Sequence, residues 1–120
     1  MSKLKVYSYA KCGTCKKALK ELDRLGVSYE LYDITENPPP KSVLKSALKG
    51  MDGDVKKLFN TSGMSYREGG FKEKLPSMSL DEAMMELSAD GKLVKRPLVT
   101  DGKVGVCGFK PELWSACGLI

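Results

Sequence analysis

Hydrophobic positions near the start of the chain change spacing where one element gives way to the next. Leu4, Val6 and Tyr7 lie close together in residues 4–8, a short run that reads as a strand. Over residues 13–25 the spacing lengthens. Cys15, Leu19, Leu22 and Leu25 recur at three and four residues, while Lys16, Lys17, Lys20, Glu21, Asp23 and Arg24 fill the other faces. That is an amphipathic helix, and Gly26 supplies its stop. A second strand is expected over residues 29–34. Two strands joined through a helix make a right-handed βαβ unit with parallel strands.

Residues 35–40 read as a loop, and Pro40 is suited to the first position of the next helix. Leu44, Ala47, Leu48 and Met51 share one face of that helix, which Gly50 and Gly53 are expected to break. Asp54 is placed to cap a short helix holding Val55, Leu58 and Phe59, followed by a turn at Asn60-Thr61-Ser62-Gly63. Ser65 with Glu68, and Ser79 with Glu82, both fit a capping box. The first predicts a short turn ended by Gly69 and Gly70. The second predicts a helix to about Ser88, with Leu80, Ala83, Met84 and Leu87 facing inward. Residues 71–78 read as loop, and Met64, Met78, Met84 and Met85 are assigned to the core rather than to a soft binding surface.

Asp90-Gly91 reads as a turn. Residues 98–101 and 103–106 are two short strands meeting at Asp101-Gly102, a strong hairpin signal, with Pro97 at the start of the first. Lys110-Pro111 opens a last helix carrying Leu113, Trp114 and Cys117 on or near one face, with Trp114 as a core anchor. This order predicts one α/β domain over residues 1–120. It has a four-stranded mixed sheet and a mostly helical insertion at about 41–88, between the βαβ unit and a β-hairpin with its helix.

Composition narrows the chemistry. A length of 120 residues suits one domain with a modest core, and 42% hydrophobic residues is ordinary for a soluble protein. No apolar run approaches the ~20 residues of a membrane span, and Met1-Ser2-Lys3-Leu4-Lys5 lacks a secretory hydrophobic region. A cytoplasmic protein is expected, with no membrane partner. Twenty basic against 15 acidic residues leave a net charge of +5, spread along the chain. That balance suits an anionic small molecule or an acidic protein. Without a dense basic stripe, no direct nucleic-acid contact is expected. The chain has no histidine, which rules out Cys–His and Ser–His–Asp catalysis and any mixed Cys/His zinc site.

Cys12 and Cys15 stand three apart where the first strand gives way to the first helix. A helix start presents unpaired N–H groups and the positive end of the macrodipole, so a sulfur there is more easily deprotonated. Lys11 and Lys16 are candidates to strengthen that field. Cys12 reads as the attacking thiol and Cys15, one turn further in, as the resolving one. The alternatives are two ordinary small residues, or half of a four-cysteine zinc site with Cys107 and Cys117, whose nine-residue spacer does not match a zinc knuckle. A CxxC between a strand and a helix favours the redox reading, and no bound metal or cofactor is expected. Thr14 is either a hydrogen-bond donor to sulfur or a plain first-turn residue.

The sequence resembles the arsenate reductase (ArsC)/Spx family of thioredoxin-like proteins over nearly its whole length. The likeness is carried by Lys11-Cys12-Gly13-Thr14-Cys15-Lys16, Asn37-Pro38-Pro39, Leu58-Phe59-Asn60-Thr61-Ser62-Gly63, Tyr66-Arg67-Glu68, Lys95-Arg96-Pro97-Leu98-Val99 and Val106-Cys107-Gly108-Phe109. It is nearest to the uncharacterised arsenate reductase-like branch. The resemblance implies a thioredoxin-like fold with a helical insertion. It also implies a cis Arg96–Pro97 bond that sets its loop beside the Cys12 thiol.

Residue by residue, Cys12 matches the family's nucleophile and Arg96 matches one of three arginines that bind the oxyanion. Asn60 stands at the position of the second, the third falls at about Gly108, and Arg67 is a candidate substitute. Where glutaredoxin-linked members have Ser, this chain has Cys15, which permits an internal disulfide. The resemblance thus implies a thiol-dependent oxidoreductase acting on disulfides or on an arsenate-like oxyanion, reset by glutathione with glutaredoxin or by thioredoxin. The alternative it implies is an Spx-like regulator, with Cys12–Cys15 as redox switch and the RNA polymerase α subunit as partner.

Overall fold

The computed structural model describes residues 4–120; the start of the N-terminal stretch lies outside the described residues. The described elements run β1 (Leu4–Ser8), α1 (Gly13–Arg24), β2 (Tyr29–Asp33), α2 (Lys41–Gly50), α3 (Met64–Glu68), α4 (Phe71–Lys74), α5 (Leu80–Ala89), β3 (Leu98–Thr100), β4 (Gly105–Cys107) and α6 (Pro111–Ala116). Short 3-10 turns stand at Val55–Leu58, Leu75–Ser77 and Gly91–Leu93.

The four strands form one mixed sheet in the order β2-β1-β3-β4. β1 runs parallel to β2 and antiparallel to β3, with Val6 opposite Val99 and Tyr7 opposite Leu98. β4 returns antiparallel to β3 and sets Leu98 opposite Cys107. This is the four-stranded mixed sheet expected from the element order, in the thioredoxin-like α/β arrangement that the family resemblance implies. Val6, Leu98, Val99 and Val106 are fully buried in the sheet, and Ala18, Leu22, Leu44, Ala47, Leu87 and Trp114 of the helices are fully buried in the same core. Each large aliphatic side chain so enclosed contributes about 1.5–3 kcal/mol. β2, on the edge, is the exception, since its Leu31 is 54% exposed.

Several local expectations are corrected. Pro40 is not the first residue of α2 but its N-cap, with extended backbone. Gly50 does not break α2 but closes it: a Cβ there would lie 1.7 Å from the carbonyl oxygen of Gly105, so only glycine lets α2 approach β4. Ser65 caps nothing, because α3 already includes it and Gly63 is the N-cap. Ser79 and Glu82 do form the reciprocal capping box, and Asp54 caps its short helix. Residues 71–77 are not loop but α4 followed by a 3-10 turn. Phe71 and Leu75 stand one turn apart and both are buried, with the Phe71 ring 5.6 Å from Phe59 and 5.9 Å from Tyr66.

The strands of the hairpin are shorter than expected and β4 lies further along, because Asp101 turns inward on its own loop and accepts from the N–H groups of Lys103 and Val104. Gly91 opens a 3-10 turn capped by Asp90. Leu80, at the first position of α5, faces solvent, as do Met64 and Met85; only Met84 of the methionines assigned to the core is fully enclosed.

Gly50→Ala tests the α2–β4 approach. Helix propensity favours alanine by up to about 1 kcal/mol, but overpacking costs about 1–3 kcal/mol and backbone cannot yield as a flexible side chain does. The variant is expected to unfold at lower urea concentration, with an unchanged slope.

Candidate functional site

Strand pairing assembles one end of the sheet. Because Tyr7 pairs with Leu98, the chain leaving β1 emerges beside the segment entering β3. That segment contains Arg96-Pro97, whose peptide bond is cis, as the family resemblance implied. Because Leu98 also pairs with Cys107, the chain leaving β4 passes the same point, and the Gly108 N–H donates to the Pro97 carbonyl at 2.8 Å. A fourth segment is brought in by the isolated bridge between Phe59 and Val94. Around it the Asn60 N–H donates to the Leu93 carbonyl at 2.7 Å and the Lys95 N–H to the Leu58 carbonyl at 2.8 Å.

These segments enclose an open cleft of about 470 Å³. Cys12, Thr14 and Lys17 reach it from the start of α1, and Asn60 from the bridge segment. Lys95 and Arg96 come from the approach to β3, and Gly108, Phe109 and Lys110 from the exit of β4.

Cys12 is the N-cap of α1. Its backbone is extended (φ −91°, ψ 118°), its N–H donates to the Tyr9 carbonyl at 3.0 Å, and its Sγ accepts from the Cys15 N–H at 3.4 Å. The sulfur therefore takes the place that a Ser or Asp oxygen fills in an ordinary cap. Partial burial works to raise its pKa. The Cys15 N–H, the Cys15 thiol and the Arg96 guanidinium together outweigh that and hold Cys12 below the usual thiol range. Lys11 and Lys16 do not line the cleft; Lys11 is exposed, and the cation acting on the sulfur is Arg96.

Cys15 has the opposite character. It is 1% exposed, and burial pushes its thiol up to about 12, with the neighbouring Cys12 adding to the rise. Cys107 is fully enclosed, and burial raises it to about 12 against a small opposing effect of Lys95. All four cysteines are free thiols. No group of three or more Cys, Asp or Glu side chains converges among the described residues, so Cys107 and Cys117 do not join the CxxC pair.

Of the other residues singled out from sequence, Thr14 and Asn60 line the cleft. Gly13 is the first residue of α1, and Pro97 is buried. Arg67 is exposed on α3 and does not line the cleft, so it does not replace the charge that Asn60 lacks there. Sequence reasoning missed Tyr9, Lys17, Lys95 and Lys110. Tyr9 is the residue on which the others lean: its ring lies under the Arg96 guanidinium at 4.9 Å, and its carbonyl holds the Cys12 N–H. An aromatic residue just before a CxxC, paired with an arginine before a proline, was the available signal.

The model of the ArsC family matches residues 7–117. The uncharacterized protein YusI of Bacillus subtilis (strain 168) is 50% identical over 109 residues, covering 91% of this chain and 92% of its own. The crystal structure of a possible arsenate reductase from Streptococcus mutans UA159 is 45% identical, with a TM-score of 0.83 and coverage of 92% of this chain and 93% of its own. The global transcriptional regulator Spx 2 of Bacillus anthracis is more distant, 23% identical over 107 residues, covering 89% of this chain and 80% of its own.

A cation facing the sulfur favours the thiolate, so removing it must raise the Cys12 pKa. In Arg96→Met, the pH at which Cys12 alkylation reaches half its maximal rate is expected to move upward. Tyr9→Leu, which keeps the charge but removes its aromatic seat, is expected to move it the same way by less. Iodoacetamide kinetics against pH, with the Cys12 adduct identified by mass, reads both.

Proposed function

Because the chain belongs to the ArsC family, we propose that it works as a thiol-dependent oxidoreductase, with Cys12 as the attacking thiolate and Cys15 as the resolving thiol. The observation that supports this most is the pairing of a helix-capping, Arg96-facing sulfur on an open cleft with a second, buried sulfur one turn below it. The Cys12 thiolate attacks one sulfur of a substrate disulfide, forming a mixed disulfide and expelling the other half as a thiolate. Cys15 then gives up its proton and attacks the Cys12 sulfur. The second half of the substrate leaves as a thiol, and a Cys12–Cys15 disulfide remains.

The order of the two steps follows from the electrostatics. While Cys12 is a thiolate, its charge helps keep Cys15 protonated. Once Cys12 is bonded, that charge is gone and Cys15 is released to react. The internal disulfide is returned to two thiols by an external reductant, glutathione with glutaredoxin or thioredoxin, in the reducing cytoplasm. No helix of the described residues is long and apolar enough to cross a membrane. An arsenate-like oxyanion also suits a thiolate beside Arg96. Asn60 and Gly108, however, supply no guanidinium fork where the family's other arginines are expected, and flexible lysines grip a single tetrahedral group less well, so disulfides are the favoured substrates.

The match to Spx 2 favours a second reading, a redox-sensing regulator whose Cys12–Cys15 state controls binding to the RNA polymerase α subunit. It predicts an affinity for that subunit that changes between the reduced and oxidised protein. Absence of a complex in both states removes it.

For the leading reading, Cys12→Ser is expected to reduce disulfide turnover to the uncatalysed rate. Cys15→Ser is expected to stop after the first step and accumulate a mixed disulfide detectable by intact mass. Full turnover by Cys12→Ser refutes the assignment.

A further inference from the structure

The cleft beside Cys12 holds more positive charge than its arginine alone. Lys95 and Lys110 meet over Gly108: a Cβ on that residue would lie 3.2 Å from the Cε of Lys95 and 3.7 Å from the Cε of Lys110. Gly108 has φ +97°, a backbone conformation that favours glycine, and the missing side chain is what lets the two lysine stems converge. Lys17 enters the same cleft from α1, and Arg96 stands at the sulfur. No Asp or Glu lines the cleft. Among the described residues the one ion pair is Arg24 with Glu21, further along α1, so these four cations have no carboxylate partner there. Beyond Asn60 and Arg96 the character changes. Those two residues are shared with a second cleft of about 340 Å³, where Lys92 is accompanied by Glu68, whereas the three lysines of the first cleft share it with no carboxylate.

Size separates two classes of anion. A tetrahedral oxyanion has five heavy atoms and fills only a few water volumes of about 30 Å³ each. A cleft of about 470 Å³ falls in the range of roughly 300–1,000 Å³ that accommodates a drug-sized organic molecule. Lysines on flexible stems also present point charges at adjustable positions, unlike the fixed fork by which arginine grips one planar or tetrahedral group. Such charges suit carboxylates distributed along a molecule.

We propose that the disulfide substrate of this protein is a small organic disulfide bearing two or more carboxylates on each half, and that Lys95 and Lys110, with Lys17, select it by holding those carboxylates while its sulfur lies on Cys12. This inference rests on the oxidoreductase reading. The lysines act on binding, not on the sulfur chemistry: Cys12 and Cys15 are oxidised to a disulfide, the substrate disulfide is reduced to two thiols, and an external dithiol closes the cycle as before.

The test compares three small disulfides of different charge, those of mercaptosuccinate (anionic), 2-mercaptoethanol (neutral) and cysteamine (cationic), with thioredoxin and its reductase as electron source. The wild-type chain is expected to show kcat/KM at least tenfold higher for the mercaptosuccinate disulfide than for the neutral one, with the cysteamine disulfide below both. Added salt should narrow the gap, because the lysines are solvent-exposed and screened. In the Lys95→Gln/Lys110→Gln double variant the anionic-to-neutral ratio is expected to fall about tenfold, chiefly through KM, and the double replacement by arginine should restore most of it. Equal kcat/KM for the three disulfides, or a ratio unmoved by the double variant, overturns the inference while leaving the oxidoreductase reading in place. Reduction of none of the three overturns both. Arsenate turned over in preference to the mercaptosuccinate disulfide overturns the choice of an organic dicarboxylate over an oxyanion.

Discussion

The antiparallel pairing of β1 with β3 is the constraint on which the rest of the candidate site depends. Cys12 and Arg96 come from opposite ends of the chain, and neither has any local reason to meet the other. The pairing of Tyr7 with Leu98 removes that freedom, since it places the exit of one strand beside the entrance of its neighbour. Both faces of β3 are buried, so a slip of one residue would exchange Val99 with Leu98 or Thr100 between two packed faces, a misfit of about 1–3 kcal/mol where a larger side chain is forced in. The apolar pattern of two short strands thus maintains the geometry of a polar site that lies just beyond their ends.

The three sulfurs with shifted pKa values show that burial alone does not decide reactivity. All three are raised by desolvation. Only Cys12 ends below the usual thiol range, because a backbone N–H, a neighbouring thiol and a guanidinium all favour its anion. Cys15 lies one turn away and is held near 12, partly by Cys12 itself. Cys107, deep in β4, has only Lys95 to oppose its burial. The contrast suits the proposed two-step exchange: one thiol that ionises more readily than usual, the other held protonated by its burial. Tyr9 supports the Cys12 side of that division, through its carbonyl to the Cys12 backbone and its ring beneath Arg96.

Much of the architecture was legible from the chain. The bounds of β1, the start of α1 at Gly13, the capping box at Ser79, the cap at Asp54 and the turn between β3 and β4 all depend on residues within one or two turns of each other. So does the sulfur cap, which needs only a cysteine at the end of a strand and the N–H groups of the helix that follows. The errors arose where a local signal competed with packing. Ser65 and Glu68 have the spacing of a capping box, yet Gly63 begins the helix. Gly50 looks like a helix breaker, yet it is the residue that admits the Gly105 carbonyl. The Phe71–Leu75 turn is too short to announce itself by periodicity and is held by aromatic contacts with Phe59 and Tyr66.

By itself, the sequence determined the βαβ unit, the hairpin, the order of the elements and the identity of the thiol pair, because periodicity, caps and turns are decided by neighbours a few residues apart. Only the tertiary structure decided which cations share the cleft with Cys12. Lys11 and Arg67 are adjacent in sequence to motif residues yet point elsewhere, whereas Lys95 and Lys110 converge over Gly108 from two segments joined by the β3–β4 pairing. Electrostatic influence falls with distance through space, not along the chain. The charge around a sulfur is therefore known only once the strands that carry it have paired.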